Sequence, residues 1–192
     1  GRDYALSART TSAGLAGLFR SFTFANSVTG TETAEGLMPR RYQARSQGGR
    51  SARETALSYD RGVPKILTLD DDPAPGTPKV DPAGQGGTVD PLTLTWALLR
   101  DIPADRACQL DLRVFDGRRV AQMRQRPGAK TDTQVECLGV YSRVAGYPAE
   151  DLARRRDFAF SVIYRPLPDG RLRVVELTLD SFFGPARMLR ED

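Results

Sequence analysis

Cys108 and Cys137 are the two residues with obvious redox chemistry in this 192-residue chain, which has no histidine. The lack of histidine removes the commonest general base, the commonest neutral metal ligand and the familiar serine–histidine and cysteine–histidine pairings. Two cysteines alone do not make a zinc site. They are either a disulfide, which belongs to an oxidising compartment, or two buried thiols on apolar faces. Strand arithmetic bears on that choice. If residues 108–115 pair with 118–126, Cys108 falls opposite Gln125 and Cys137 near Met123, on strands separated by a third. Next-but-one strands lie about 9–10 Å apart, beyond the ~7 Å reach of a bridge between α-carbons. A disulfide therefore requires Cys108 to leave the sheet and fold over, which the preceding Pro103-Ala-Asp loop permits.

Other constellations carry less chemistry. Asp111 and Glu136 could form an acid–base pair of carboxylates, but both face away from the expected core side and nothing in the sequence distinguishes an acid from a base. Asp70-Asp71-Asp72 could hold a hard cation, yet the EF-hand pattern is absent and three adjacent side chains do not converge on one ion. Gly84-Gln-Gly-Gly-Thr88 precedes a helix but lacks the lysine–hydroxyl signature of a phosphate loop. Asp90 at the helix start would repel an anion, and Pro91 removes a donor. No catalytic residue, metal site or cofactor is expected. Phe19, Phe22, Phe24 and Trp96 are the candidates for contact with an apolar ligand, Trp96 serving equally well as a core plug.

Charge narrows the partners. Net charge is +4 with a pI near 9.3, and only Lys65, Lys79 and Lys130 of the 28 basic residues are lysines. Arginine forks onto phosphate and carboxylate. Its clusters here (Arg40-Arg41, Arg118-Arg119, Arg124 with Arg126, Arg154 to Arg156) are too dispersed for a nucleic-acid stripe. If several shared one rim of a barrel, they could receive acidic head groups. No apolar run approaches the roughly 20 residues of a transmembrane span. Gly1-Arg2-Asp3 opens no signal peptide, so this chain is expected to start as a mature or trimmed one.

These residues need elements to hold them. The helix is the clearest: Asp90 stands at the N-cap position, Pro91 at the first helical position, and Leu92, Trp96 and Leu99 recur at i, i+4, i+7, with Leu94 and Leu98 widening the apolar stripe. The rest reads as strands. Residues 3–69 form a first group, in which Gly14–Phe19 is an apolar connection and Asp60-Arg61-Gly62 a three-residue hairpin loop with a bulge. Residues 70–87 are a linker rich in Asp, Pro and Gly. Residues 108–190 form a second group with two-residue hairpins at Asp116-Gly117 and Asp169-Gly170. The first predicts Leu112 opposite Ala121 and Leu110 opposite Met123. The second predicts Tyr164 opposite Val175, Val162 opposite Leu177 and Phe160 opposite Leu179. Pro148 to Arg156 reads as a short exposed helix. The expectation is one mainly β domain over residues 1–192: a curved antiparallel meander of nine or ten strands forming an open or half β-barrel, with the helix of residues 90–101 packed in or across it.

Several stretches resemble a family of exported bacterial proteins, the domain of unknown function 3108 family. They are Gly86-Gly-Thr-Val-Asp-Pro-Leu-Thr93, Cys108 with Val114-Phe-Asp-Gly-Arg-Arg119, and Cys137-Leu-Gly-Val-Tyr-Ser-Arg-Val-Ala-Gly-Tyr147. Ser12-Ala-Gly-Leu-Ala-Gly-Leu-Phe19 and Leu37-Met-Pro-Arg-Arg-Tyr42 fit as well. The resemblance implies export to the periplasm and a half-barrel similar in shape to lipoprotein carriers of the cell envelope. Family members usually begin a strand or two before the Tyr4 segment. The function expected is non-enzymatic: binding of a lipid or other amphipathic envelope molecule in the half-barrel. The alternative is a scaffold that binds a partner protein through an exposed strand edge.

Overall fold

The structure, a computed structural model, describes residues 1–11, 22–48, 51–70, 73, 75–181 and 184–191. Two antiparallel sheets follow each other along the chain. The first is a five-stranded meander of β1 (Arg2–Thr11), β2 (Phe22–Thr33), β3 (Gly36–Gly48), β4 (Ser51–Asp60) and β5 (Val63–Leu69), in sequence order. A linker with one 3-10 turn at Pro82–Gly84 leads to α1 (Pro91–Leu99) and then to the two-residue β6 (Ile102–Pro103). The second sheet holds β7 (Asp111–Phe115), β8 (Val120–Lys130), β9 (Val135–Ala145), β10 (Asp157–Pro166), β11 (Arg171–Ser181) and β12 (Gly184–Leu189), again as a meander. The short α2 (Ala149–Arg154) sits between β9 and β10 and buries nothing. The fold is mainly β, with one sheet strongly curled into a half-barrel. Side chains from β7 through β11 of the second sheet line a single space, so this sheet wraps around it. Its two borders are joined by one short crossing. β6 pairs with β11, and only a 3-10 turn and a short loop separate it from β7 at the opposite border.

The turns differ from their expected types, and the registers follow. At Asp60–Val63 the strands pair directly, and both Arg61 (φ 48°) and Gly62 (φ 78°) are left-handed, which makes a two-residue type I′ loop. Asp169-Gly170 does the reverse. Leu167 N donates to Arg171 O (2.8 Å), Gly170 N donates to Leu167 O (3.0 Å), and Gly170 is left-handed, so the loop has three residues. A bulge between Ile163 and Tyr164 absorbs the extra residue. Phe160–Leu179 and Val162–Leu177 therefore pair as the sequence predicts, while Tyr164 faces Val174 and not Val175. At the third hairpin Gly117 (φ 98°) and Arg118 form the loop, and Asp116 accepts bonds from the backbone N–H of Arg118 (2.9 Å) and Arg119 (2.6 Å). Leu112 then faces Met123, and Val114 faces Ala121. The register moves by two, which leaves every side chain on its predicted face.

Helix α1 starts as expected and divides its apolar side chains between the two sheets. Asp90 Oδ1 accepts from the N–H of Leu92 and Thr93 (both 2.9 Å), and Oδ2 accepts from the Thr93 hydroxyl (2.6 Å). The carboxylate is fully buried. The residue before it is pinned to the free side of β7: Val89 N donates to Arg113 O, and Phe115 N donates to Val89 O, each at 2.9 Å. Of the expected stripe, Leu92, Leu94 and Leu98 are the buried members, and they serve two different cores. Leu92 enters a cluster with Val28, Tyr42 and Leu57 of the first sheet, whereas Leu94 and Leu98 enter the core of the second beside Val114, Met123 and Phe160. Trp96 and Leu99 are half-buried. A helix lying between two sheets needs two apolar faces, and the widened stripe divides between them.

Cys108 does leave the sheet. It precedes β7, takes a left-handed conformation (φ 59°), and bonds to Cys137 of β9 with 5.1 Å between α-carbons. The bridge fastens the crossing between the two borders to the middle of the half-barrel.

Gly139 of β9 lies opposite Phe160 of β10, whose ring covers the glycine, so a Cβ there would fall on the ring. Gly139→Ala is expected to lower the unfolding free energy by about 1–3 kcal/mol, as overpacking does. Gly84→Ala, at a position with open space around it, should stay within about 0.5 kcal/mol. Urea unfolding of the two variants checks the contrast.

Candidate functional site

The concave side of the second sheet is filled by the core around Phe160, Val162 and Tyr164 over part of its length and open over the rest. A cavity of about 610 Å³ remains, walled by Val114 and Met123 on one flank, Phe158 and Leu179 on the other, Tyr141 between them, and α1 across the top through Pro91, Leu94 and Thr95. Strand alternation builds this wall. In β9 every second residue from Cys137 through Gly139, Tyr141 and Arg143 points inward, as do Phe158, Phe160, Val162 and Tyr164 of β10; Tyr141, Arg143 and Phe158 reach the cavity, and Cys137, Phe160, Val162 and Tyr164 belong to the core beside it. A space of this size and lining suits one small apolar or amphipathic molecule.

The mouth is aromatic and cationic. The Arg143 guanidinium lies 5.1 Å from the Tyr147 ring centre and 5.0 Å from that of Phe158. Arg119 lies 5.7 Å from Tyr147, and Arg155 4.5 Å from Phe158. Such stacking keeps guanidinium groups in place while leaving edges for other acceptors. Arg143 also donates to the carbonyls of Asp151 (3.2 Å) and Arg155 (3.4 Å), which ties it to the loop of α2. The acids are matched: Asp116 accepts from Arg119 Nε (3.2 Å), and Asp180 from Arg155 Nη2 (2.7 Å). The Tyr141 and Tyr147 hydroxyls are 3.3 Å apart, and burial pushes the Tyr147 phenol up, so it stays neutral. Gly146 (φ 79°) makes the mouth possible, because a Cβ there would strike the Arg118 carbonyl.

The residues singled out from sequence lie elsewhere. Trp96 is at the far end of α1, between the Tyr4 ring (5.0 Å) and the Arg100 guanidinium (4.8 Å). Phe24 packs at the edge of the first sheet's core, and Phe22 opens β2 with 44% of its surface exposed. Phe19 and the stretch Gly14–Phe19 lie outside the described residues, as do Asp71 and Asp72. None of Phe22, Phe24 and Trp96 lines the half-barrel cavity. Asp111 is bound by Gln122 (2.7 Å) and Arg124, and Glu136 accepts from Ala129 N (3.2 Å), so each has its own partner. Among the described residues no group of three or more acidic or cysteine side chains is placed to hold a metal ion. The residues that do line the cavity carried one legible signal: Arg143 stands two residues after Tyr141 on an otherwise apolar, inward-facing alternation.

The chain matches the family model described as "Protein of unknown function (DUF3108)" over residues 1–147, and it belongs to that family. The match ends at Tyr147 of the cavity mouth. Phe158, Leu179 and Asp180, supplied by β10 and β11, lie beyond it. No curated protein and no solved structure matches the chain. No helix of the described residues is long and apolar enough to cross a membrane.

Proposed function

We propose that this protein is a non-enzymatic binding protein of the bacterial periplasm that holds an amphipathic envelope molecule, such as a lipid, in its half-barrel. The observation that carries the reading is the cavity of about 610 Å³, apolar along its length and edged at the mouth by Arg119 and Arg143. An acyl chain would lie between Met123, Phe158 and Leu179, with its head group at the arginines. The Cys108–Cys137 bridge supports an oxidising compartment.

Native mass spectrometry of the protein purified from its own host, with organic extraction of any bound mass, tests this directly. A discrete amphipathic molecule is expected; a bare chain that also fails to bind cis-parinaric acid would sink the idea. Leu179→Trp fills the cavity from a half-buried position. It should weaken cis-parinaric acid binding at least about tenfold with little change in unfolding, because the space itself is what binds.

One observation favours the alternative, a protein partner that adds a strand. Among the described residues β12 pairs on one side only, with β11, and it exposes Met188 (54%) and Leu189 (61%). Co-purification of a partner that is lost when these two residues are made polar would favour it.

A further inference from the structure

A second concavity, of about 590 Å³, lies at the C-terminal end of α1, whereas the half-barrel cavity meets the helix through Pro91, Leu94 and Thr95. Its wall gathers four arginines from distant parts of the chain: Arg2 of β1, Arg100 after α1, Arg171 at the start of β11 and Arg190 after β12. Glu32 and Asp101 are the carboxylates among its described lining residues, and both are committed. Glu32 accepts from Arg100 Nη1 at 2.6 Å. Asp101 accepts from Arg173 through Nε (3.1 and 3.2 Å) and Nη2 (2.7 Å), a forked pair behind the groove. Arg171 is held by Asp169 (2.8 Å). What remains is positive. Arg190 reaches Asp101 only at 3.7 Å, Arg2 has no acidic partner among the described residues, and Arg100 Nε is buried without an acceptor. Guanidinium groups converging on one hollow repel each other, and an anion seated among them relieves that repulsion. Their planar forks match the oxygens of phosphate, and several cations round one space favour a multiply charged anion over a single carboxylate.

We propose that this groove is an anion-binding site, separate from the half-barrel cavity, that takes a phosphate-bearing ligand through Arg2, Arg100 and Arg190. The phosphate belongs either to a soluble molecule or to the head group of an anionic lipid at a membrane surface, and the test separates the two.

Trp96 lines the groove under Arg100 and is the one tryptophan in the chain, so its emission reports on this place. The intact protein is titrated with inorganic pyrophosphate at low ionic strength against a chloride control of equal ionic strength, read by Trp96 emission and by calorimetry. It is also sedimented with vesicles of phosphatidylglycerol or of phosphatidylcholine. Saturable pyrophosphate binding is expected if the ligand is soluble, and selective sedimentation with phosphatidylglycerol if it is a head group. In either case the double variant Arg2→Gln, Arg190→Gln, both exposed positions, should weaken the interaction about tenfold or more, since each loses a charge-assisted bond. Its binding of cis-parinaric acid should be unchanged. Absence of both responses, or binding that the double variant leaves intact, would overturn the proposal.

Discussion

Replacing Cys108 and Cys137 together by serine should lower the unfolding free energy by about 3–4 kcal/mol, the chain-entropy value for a closed loop of this length. The two cysteines are 29 positions apart, and the loop contains the β7–β8 hairpin. Without the bridge the unfolded chain regains the freedom of that loop. The folded chain also loses the fastening of residues 104–110, in which Cys108 holds a left-handed conformation that non-glycine residues seldom adopt. Wild-type protein with reductant should unfold at nearly the same urea concentration as the double variant, and reductant should do nothing further to that variant. A double variant within about 0.5 kcal/mol of wild type would mean that the bridge adds nothing to the packing around it.

Asp90→Ala should be nearly as damaging, by about 2–4 kcal/mol. Loss of a helix cap accounts for about 1–2 kcal/mol, and a Thr93 hydroxyl left without its carboxylate in the interior for about 1–3 more. That hydroxyl also lies 3.2 Å from the Tyr4 hydroxyl, so the loss reaches β1. Asp90→Asn keeps an acceptor for the two N–H groups and should be much milder. The pair also differs in pH response. Burial raises the Asp90 carboxyl above the ordinary carboxylate range, against the opposing pull of its bonds from Thr93 and Leu92. The folded protein therefore binds the proton more tightly than the unfolded chain. The stabilisation from that proton is complete below the unfolded value of about 3.8 and is lost as pH rises through the folded one. Stability of the wild type should thus decline relative to Asp90→Asn over that interval, a difference that urea unfolding at a series of pH values would show. Parallel pH curves for the two proteins would contradict it.

The β architecture is legible because it rests on local signals. Paired Asp-Gly turns, alternating apolar residues and a capped helix each act over a few positions. Even where the turn type is misread, as at Asp116-Gly117, a displacement of two residues preserves the faces, and the core prediction survives. The disulfide is legible for a related reason: strand spacing states what Cys108 must do to reach Cys137, and the chain does it. Sites are harder to read. The half-barrel cavity needs Met123, Tyr141, Phe158 and Leu179 to face one another, and that depends on how far the sheet curls, which no local signal encodes. Likewise Arg2, Arg100, Arg171 and Arg190 stand far apart in sequence, whereas the visible arginine runs, such as Arg154 to Arg156, spread over different faces. On α1 the apolar stripe itself is legible, but which of its members reach a core is set by the two sheets: Leu94 and Leu98 turn inward and the Trp96 indole stays at a margin.

Helix α1 gives one leucine to the first sheet's core and two to the second's. Neither sheet can shed the helix without leaving apolar surface and the buried Asp90 cap exposed on both sides of the break. Opening of either sheet is therefore opposed by the packing of the other, and amides at the centre of α1 should exchange with solvent only when both come apart. A molecule seated against Leu94 in the half-barrel would then slow exchange in β2 and β3 as well, although it touches neither strand.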